Sequence, residues 1–259
     1  MLSRRPSHGV VPLDLERVAA WIAASRRVTV LTGAGISTDS GIPDYRGPNG
    51  VWTKDPAAMR RGDIDVYLAD PEIRRASWQE RLHHATWTAV PNAGHRSLVE
   101  LERRGRLRAL VTQNIDGLHQ AAGSSPELVI ELHGTIHRAR CLACGRETPM
   151  QEQLDRVRAG EVDPPCAACG GIQRSATIAF GQALDHDVLE RAIKASTGCD
   201  LFLAIGTSLQ VTPASLLCAM AQRTGARTVI VNAEPTPFDE RADAVLRGRI
   251  GDVLSPIVG

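Results

Sequence analysis

Continuous apolar runs limit what this chain can become. "VTVLTG" (28–33), "LRALVTQN" (107–114), "ELVIEL" (127–132), "LFLAIGTS" (201–208) and "TVIVNAE" (228–234) lack the strict alternation of a half-exposed strand. Runs of this kind read as strands buried on both faces of a parallel sheet. Helical segments fall between them. "LDLERVAAWIAAS" (13–25) carries Asp14 near its start, "NAGHRSLVELERRG" (92–105) has Asn92 as a cap and Gly105 as a stop, and "TPASLLCAMAQRTG" (212–225) ends the same way. This alternation predicts an α/β fold with a doubly wound parallel sheet. Two stretches interrupt it: 46–90, which includes the helix-like "DPEIRRASWQERLHHATW" (70–87), and 138–175, which holds paired cysteines. Both read as insertions that build a smaller lobe.

The bulk numbers exclude several classes. The chain has 259 residues, enough for a large domain with insertions, and a net charge of +1 gives no case for nucleic acid as a partner. No apolar run approaches the ~20 residues of a membrane helix, so no membrane partner is expected. "MLSRRPSHGVVP" (1–12) lacks the apolar core of a secretory signal and reads as a flexible tail. Nothing in the sequence sets the oligomeric state, and a monomer is compatible with it.

Four of the six cysteines form two C-x-x-C pairs, Cys141 with Cys144 and Cys166 with Cys169, each followed by glycine (Gly145, Gly170). Two such knuckles let four thiolates converge on one tetrahedral Zn²⁺ with no open position, a structural site. A redox dithiol is the competing reading. "QEQLDRVRAG" supplies a helix between the pairs. Cys199 and Cys218 stand apart, in or beside apolar runs, as buried packing residues. Such cysteine usage suits a reducing compartment.

Polar clusters follow the proposed strands: "GAGISTDSGIPDYRG" (33–47), "TQNIDGLH" (112–119), "ELHGT" (131–135), "GTSLQV" (206–211) and "VNAEP" (231–235). In open α/β sheets, ligands bind outside the carboxyl ends of strands. Gly33 and Gly35 allow close backbone approach to a pyrophosphate, although a plain turn would look the same. The third glycine of a dinucleotide fingerprint is replaced by Thr38, and Gly41 and Pro43 leave no helix-forming run. Thr207 and Ser208 can donate to phosphate or ribose, and Glu234, after Asn232, can accept from ribose hydroxyls. His133 is the candidate base because imidazole titrates near neutrality. Asn114 and Asp116 could equally be turn or capping residues.

Together these segments, with "FG" (180–181), resemble the sirtuin family of NAD-dependent protein deacylases from Val28 to about Val258. The resemblance implies a Rossmann-like NAD-binding domain (13–45, 91–137 and 176–259), a helical insertion with the cofactor loop (46–90) and a zinc module (138–175). It implies NAD as co-substrate and a structural zinc. It implies that His133 and Asn114 are catalytic. In the implied chemistry the acyl-lysine oxygen attacks the anomeric carbon and displaces nicotinamide. His133 takes a proton from a ribose hydroxyl that attacks the imidate carbon, and water releases lysine and O-acyl-ADP-ribose. Cofactor contacts are implied for Gly33, Ala34, Gly35, Ser37, Asp44, Tyr45, Arg46, Trp52, Gln113, Asn114, Ile115, Asp116, Gly206, Thr207, Ser208, Asn232, Glu234 and Ile250. An acyl-lysine peptide, the implied partner, would pair with Phe180, Gly181 and Gln182 on one side and Val211 on the other. "GPNGVW" (47–52) would be a flexible segment that orders when NAD binds. A mono-ADP-ribosyltransferase and a non-catalytic NAD- and zinc-binding module remain alternatives. High alanine and arginine content points to a bacterial source and a cytoplasmic setting.

This chain also departs from the family pattern. Tyr45 stands where the family usually has phenylalanine, and Gln182 replaces an acid. Desuccinylating members carry Tyr-x-x-Arg; here the matching stretch is "WQER", Trp78 to Arg81. Arg81 could pair with an acidic acyl group, although a solvated helix charge is the default reading. The "RRASWQER" helix and the long loop between cysteine pairs resemble the class with mitochondrial lipoamidase-type sirtuins. His119 and His95 are weaker candidates, His119 reading as a packing residue, and His83 and His84 read as solvated.

Overall fold

The computed structural model describes residues 12–259; the expected tail lies outside the described residues, except for Pro12, which begins the first helix, Pro12–Ala24. Nine strands follow: β1 (Val28–Thr32), β2 (Leu107–Thr112), β3 (Val129–Glu131), β4 (Gly134–Cys141), β5 (Glu147–Pro149), β6 (Gln173–Thr177), β7 (Leu201–Ile205), β8 (Arg227–Val231) and β9 (Ala244–Leu246). Six of them form one parallel sheet in the order β3-β2-β1-β7-β8-β9. Counted within the sheet, this is 3-2-1-4-5-6. The winding direction reverses between β1 and β7, which opens a crevice at their carboxyl ends.

The apolar runs lack alternation because each strand feeds two cores. In β7, Leu201, Leu203 and Ile205 enter one cluster, with Leu254 and Ile257 of the helix Ile250–Val258 and Leu98 of the helix Ala93–Arg103. Phe202 and Ala204 enter the other, beside Ala192 and Ala195 of the helix His186–Thr197 and Leu217 of the helix Leu216–Arg223. In β1, Val28 and Val30 face the first cluster and Leu31 the second. Each fully buried Val, Leu or Ile contributes about 1.5–3 kcal/mol.

A second, antiparallel sheet has the order β5-β4-β6. Residues 138 and 175, where the sequence marked the edges of the zinc module, fall inside β4 and β6. The small sheet therefore begins at Gly134, directly after His133. The helix Pro71–Leu82 is started by Asp70, whose side chain accepts from the Glu72 N–H, and by Pro71 in its first turn. This helix anchors the small lobe through fully buried Trp78, which packs with Ala139, Met150 and Leu154. Among the described residues, no helix is long and apolar enough to cross a membrane.

Candidate functional site

At the switch point the ends of β1 and β7 touch through glycine. The Gly33 N–H donates to the Ile205 carbonyl at 3.0 Å and the Gly35 N–H to the Gly206 carbonyl at 2.9 Å. A β-carbon on Gly35 would lie 2.8 Å from the Gly206 α-carbon, and one on Gly33 2.8 Å from the Gly206 oxygen. Only bare backbone fits there. The expectation that no helix follows needs correction: Ala34–Ser40 forms a 3₁₀ helix, closed by Gly41 at φ 85°. Bonds of i to i+3 type suit seven short residues that a longer α-helix could not occupy before Pro43.

Beyond this turn lies a cavity of about 1370 Å³ between the two lobes. Among the cofactor and substrate residues singled out above, all line it except Ser37 and Asp116. Those two lie behind the wall as a buried clamp. The Ser37 hydroxyl donates to Asp116 Oδ2 at 2.7 Å, and the Leu118 N–H donates to Asp116 Oδ1 at 2.9 Å. Asn114 Nδ2 reaches from the cavity wall into this clamp, donating to the Ser37 hydroxyl at 3.1 Å and the Gly33 carbonyl at 3.2 Å. The loop after β2 is thereby locked to the loop after β1.

His133 lines the cavity where the two sheets meet. Its Nδ1 lies 2.9 Å from the Gln113 carbonyl oxygen. A carbonyl only accepts, so Nδ1 carries the proton and Nε2 keeps its lone pair. Burial lowers the ring's pKa below its ordinary value, and the bond to Gln113 opposes this only in part. A neutral imidazole with a fixed tautomer and a basic nitrogen is what a general base requires.

Two further histidines stand behind the wall. His119 Nε2 bonds Thr32 Oγ1 at 2.9 Å, and the same hydroxyl donates to Thr112 Oγ1 at 2.8 Å. The ring centroid of His95 is 5.0 Å from that of His119. His84, expected to be solvated, is instead half-buried at the cavity wall, with Nδ1 accepting from the Thr86 N–H at 3.2 Å; His83 is exposed as expected.

The cofactor-loop residues gather as an aromatic group. Trp52, in the short helix Val51–Lys54, lies 4.8 Å from Tyr45 and 5.4 Å from Phe180 between ring centroids. The Arg46 guanidinium sits 4.4 Å from the Trp52 ring centre. Tyr45 is 43% exposed as a residue, while burial of its phenol end and the nearby Asp116 charge raise the hydroxyl's pKa. Phe180 has both backbone groups engaged: its N–H donates to the Gly62 carbonyl and its carbonyl accepts from the Ile64 N–H. Gln182 Oε1 accepts from the Ala179 N–H at 2.8 Å and from Arg174 Nη1 at 2.9 Å. Val211 faces the same cavity from the β7 side, and Glu234 is an exposed residue at its rim.

The four paired cysteines converge. Their sulfur atoms all lie within 4.8 Å of one another, with Cys141–Cys169 at 3.5 Å and Cys144–Cys166 at 3.8 Å. Zn–S bonds of about 2.3 Å in a tetrahedron place sulfurs roughly 3.8 Å apart, so the set fits zinc. Gly145 and Gly170 both have φ 73°, the left-handed turn that follows each knuckle. Cys199 and Cys218 are buried, and burial pushes the Cys218 thiol up to about 12.

A profile described as the Sir2 family matches residues 33–213, well over half of the chain. The chain is a sirtuin. This sirtuin is 53% identical over 231 residues to NAD-dependent protein deacetylase 2 of Streptomyces coelicolor, covering 89% of this chain and 96% of that one. It is 44% identical over 247 residues to NAD-dependent protein deacetylase 1 of Bradyrhizobium diazoefficiens, covering 95% of each. A solved Sir2 structure with deacetylated p53 peptide and 3'-O-acetyl ADP-ribose superposes with a TM-score of 0.85 at 35% identity, covering 94% of this sirtuin and 97% of that chain.

Several cavity residues escaped the sequence reading. Tyr67, Arg174 and Ser175 line the cavity; Arg81, which the sequence reading did raise but took by default as a solvated helix charge, lines it too. It is half-buried, with Nη1 shielded from water, because Trp78 one turn earlier roots the helix in the small lobe. No sequence signal marked Arg174: it lies on a short polar strand, where arginine ordinarily points to solvent.

Proposed function

We propose that this sirtuin is an NAD-dependent protein-lysine deacylase that transfers the acyl group of lysine to ADP-ribose and releases nicotinamide. NAD supplies the electrophilic sugar carbon that makes amide cleavage possible. The chain's own residues do the rest. Gly33 and Gly35, whose own N–H groups are engaged across the switch point, keep side chains out of the way of the phosphates. The Thr207 hydroxyl, which accepts from Gln113 and Leu209, keeps its own proton to donate to the phosphates. Asn114, held by Ser37 and Gly33, presents its amide at the cavity wall to orient the sugar and its nucleophile. His133 Nε2 takes a proton from a sugar hydroxyl, and Gln113 keeps the opposite nitrogen protonated. Tyr45, Trp52 and Phe180 form an aromatic group over the reacting end. The acyl-lysine peptide enters between Phe180–Gln182 and Val211.

His133 carries this reading, with its proton placed by Gln113 and its Nε2 lone pair left available at the cavity wall. Zinc holds the small lobe through Cys141, Cys144, Cys166 and Cys169 and takes no part in the chemistry. The same thiolates belong to a reducing compartment, and we place the protein in the cytoplasm. The test is incubation with an acetyl-lysine peptide, followed by mass spectrometry. Loss of the acetyl group only when NAD is added supports the reading, and loss without NAD contradicts it.

A further inference from the structure

β1 and β2 each end on a threonine whose hydroxyl lies inside the core. Thr32 and Thr112 are register partners in the parallel sheet and are 0% and 2% exposed. They follow Val30 and Leu110, two strand positions earlier, on the face that packs in the first apolar cluster. Valine would fill the same volume there with no polar group to satisfy.

The hydroxyls instead form a directed chain. Thr32 Oγ1 donates its single proton to Thr112 Oγ1 at 2.8 Å. Toward His119 Nε2, 2.9 Å away, it can then only accept. Burial, and then the adjacent His95, lowers the His119 pKa to about 3, so the ring is neutral and its one proton sits on Nε2. Thr112 Oγ1 accepts a second bond, from the Asn114 N–H at 3.0 Å.

That N–H belongs to the peptide unit whose carbonyl is Gln113. The unit is planar and trans, so its N–H and C=O point to opposite sides. One side is held by Thr112 Oγ1, and the other faces His133 Nδ1 at 2.9 Å. The chain from His119 through Thr32 and Thr112 therefore ends on the peptide that sets the tautomer of the base. The neighbouring backbone is pinned by the same threonines. The Gln113 N–H donates to the Thr32 carbonyl at 3.0 Å, and the Leu132 N–H, just before His133, donates to the Thr112 carbonyl at 2.9 Å. With its N–H released, the 113–114 peptide could pivot about its soft flanking torsions and carry the Gln113 carbonyl off Nδ1.

We propose that Thr112 is a positioning residue for His133, acting through the Gln113–Asn114 peptide and held in its own orientation by Thr32 and His119. This rests on the deacylase reading, in which His133 acts after nicotinamide has left.

The experiment uses the zinc-loaded full chain. Thr112→Val keeps the volume and removes the hydroxyl, and Thr112→Ser keeps the hydroxyl. The readouts are kcat and KM for an acetyl-lysine peptide with NAD, exchange of labelled nicotinamide into NAD, and the ¹⁵N signals of the His133 ring. Thr112→Val is expected to lower kcat tenfold or more, while KM and the exchange rate change by less than about threefold. Thr112→Ser is expected to restore kcat to within about threefold of native. On a His133→Ala background, Thr112→Val should add less than about twofold. The native ring should carry its proton on Nδ1 alone, and the valine variant should show a mixture of tautomers.

An unchanged kcat in Thr112→Val overturns the positioning role. So does a loss that nicotinamide exchange shares, or one that persists in full on the His133→Ala background, since either places the damage in Asn114 or in the fold. Should Thr112→Val not fold, Thr32→Val, which removes the donor to Thr112, is judged by the same readouts. Native protein that turns over no acyl-lysine peptide overturns the deacylase reading. The ring signals then decide the positioning role separately: a tautomer change in the variant keeps it, and identical signals overturn it.

Discussion

His133 Nδ1 sits 2.9 Å from the Gln113 carbonyl oxygen, and that contact decides which nitrogen of the ring can act as a base. Replacing His133 with alanine is expected to lower kcat for acyl-lysine turnover by about 10²–10⁴-fold, the usual contribution of a general base. Burial holds the ring's pKa below the ordinary 6.5. The base is active when neutral, above its pKa. The acid limb of kcat/KM against pH should therefore fall below pH 6.5, with a plateau through neutrality. A limb centred above 7 would contradict the assignment.

The switch-point turn gives a second prediction. A β-carbon at Gly35 would meet the backbone of Gly206, 2.8 Å from its α-carbon, and backbone cannot swing aside as a side chain can. Overpacking of this kind costs about 1–3 kcal/mol. Gly35→Ala is expected to raise KM for NAD about tenfold while the four-cysteine site stays intact, as read by steady-state kinetics and zinc content.

The buried His95–His119 pair makes stability depend on pH. Burial lowers their pKa values to about 4 and about 3. Both rings are neutral in the fold and take up protons on unfolding below about pH 6.5. Stability is therefore fully present above 6.5 and is lost as pH falls toward the folded values. At pH 5 the loss is about 2 kcal/mol per ring. Denaturant melts should give a slope of unfolding free energy against pH, between 5 and 6, that is shallower by about one proton in His95→Gln. An unchanged slope would contradict a neutral buried His95.

Four converging thiolates predict metal-dependent folding. Chelation, or Cys141→Ser, is expected to lower Tm and abolish turnover together, because β4 carries Cys141 at one end and follows His133 at the other. Metal-free protein that melted unchanged and kept full activity would contradict the structural role.

Much of this was legible in the residues. The sheet was, because Leu201 to Ile205 can be apolar at every position only if both faces are covered. The cavity position of His133 and the convergence of the four cysteines were, because these residues sit in ordered motifs. β9 was not, because three residues carry no periodicity, and neither was β4, whose "GTIHRARC" is mostly polar on an exposed lobe. Arg81 was raised by the "WQER" spacing but taken by default as a solvated charge, and its place beside Arg174, which no motif marked, was hidden for another reason. The two residues meet only through the packing of a helix on a distant strand, and spacing along the chain says nothing about that.

The account stands on the fate of the acyl group. Mixing the protein with NAD and an acyl-lysine peptide and quantifying every product by mass spectrometry tests it most directly. The predicted result is nicotinamide, free-lysine peptide and O-acyl-ADP-ribose in a 1:1:1 ratio. NAD consumed with ADP-ribose fixed to protein and the acyl-lysine intact would contradict it.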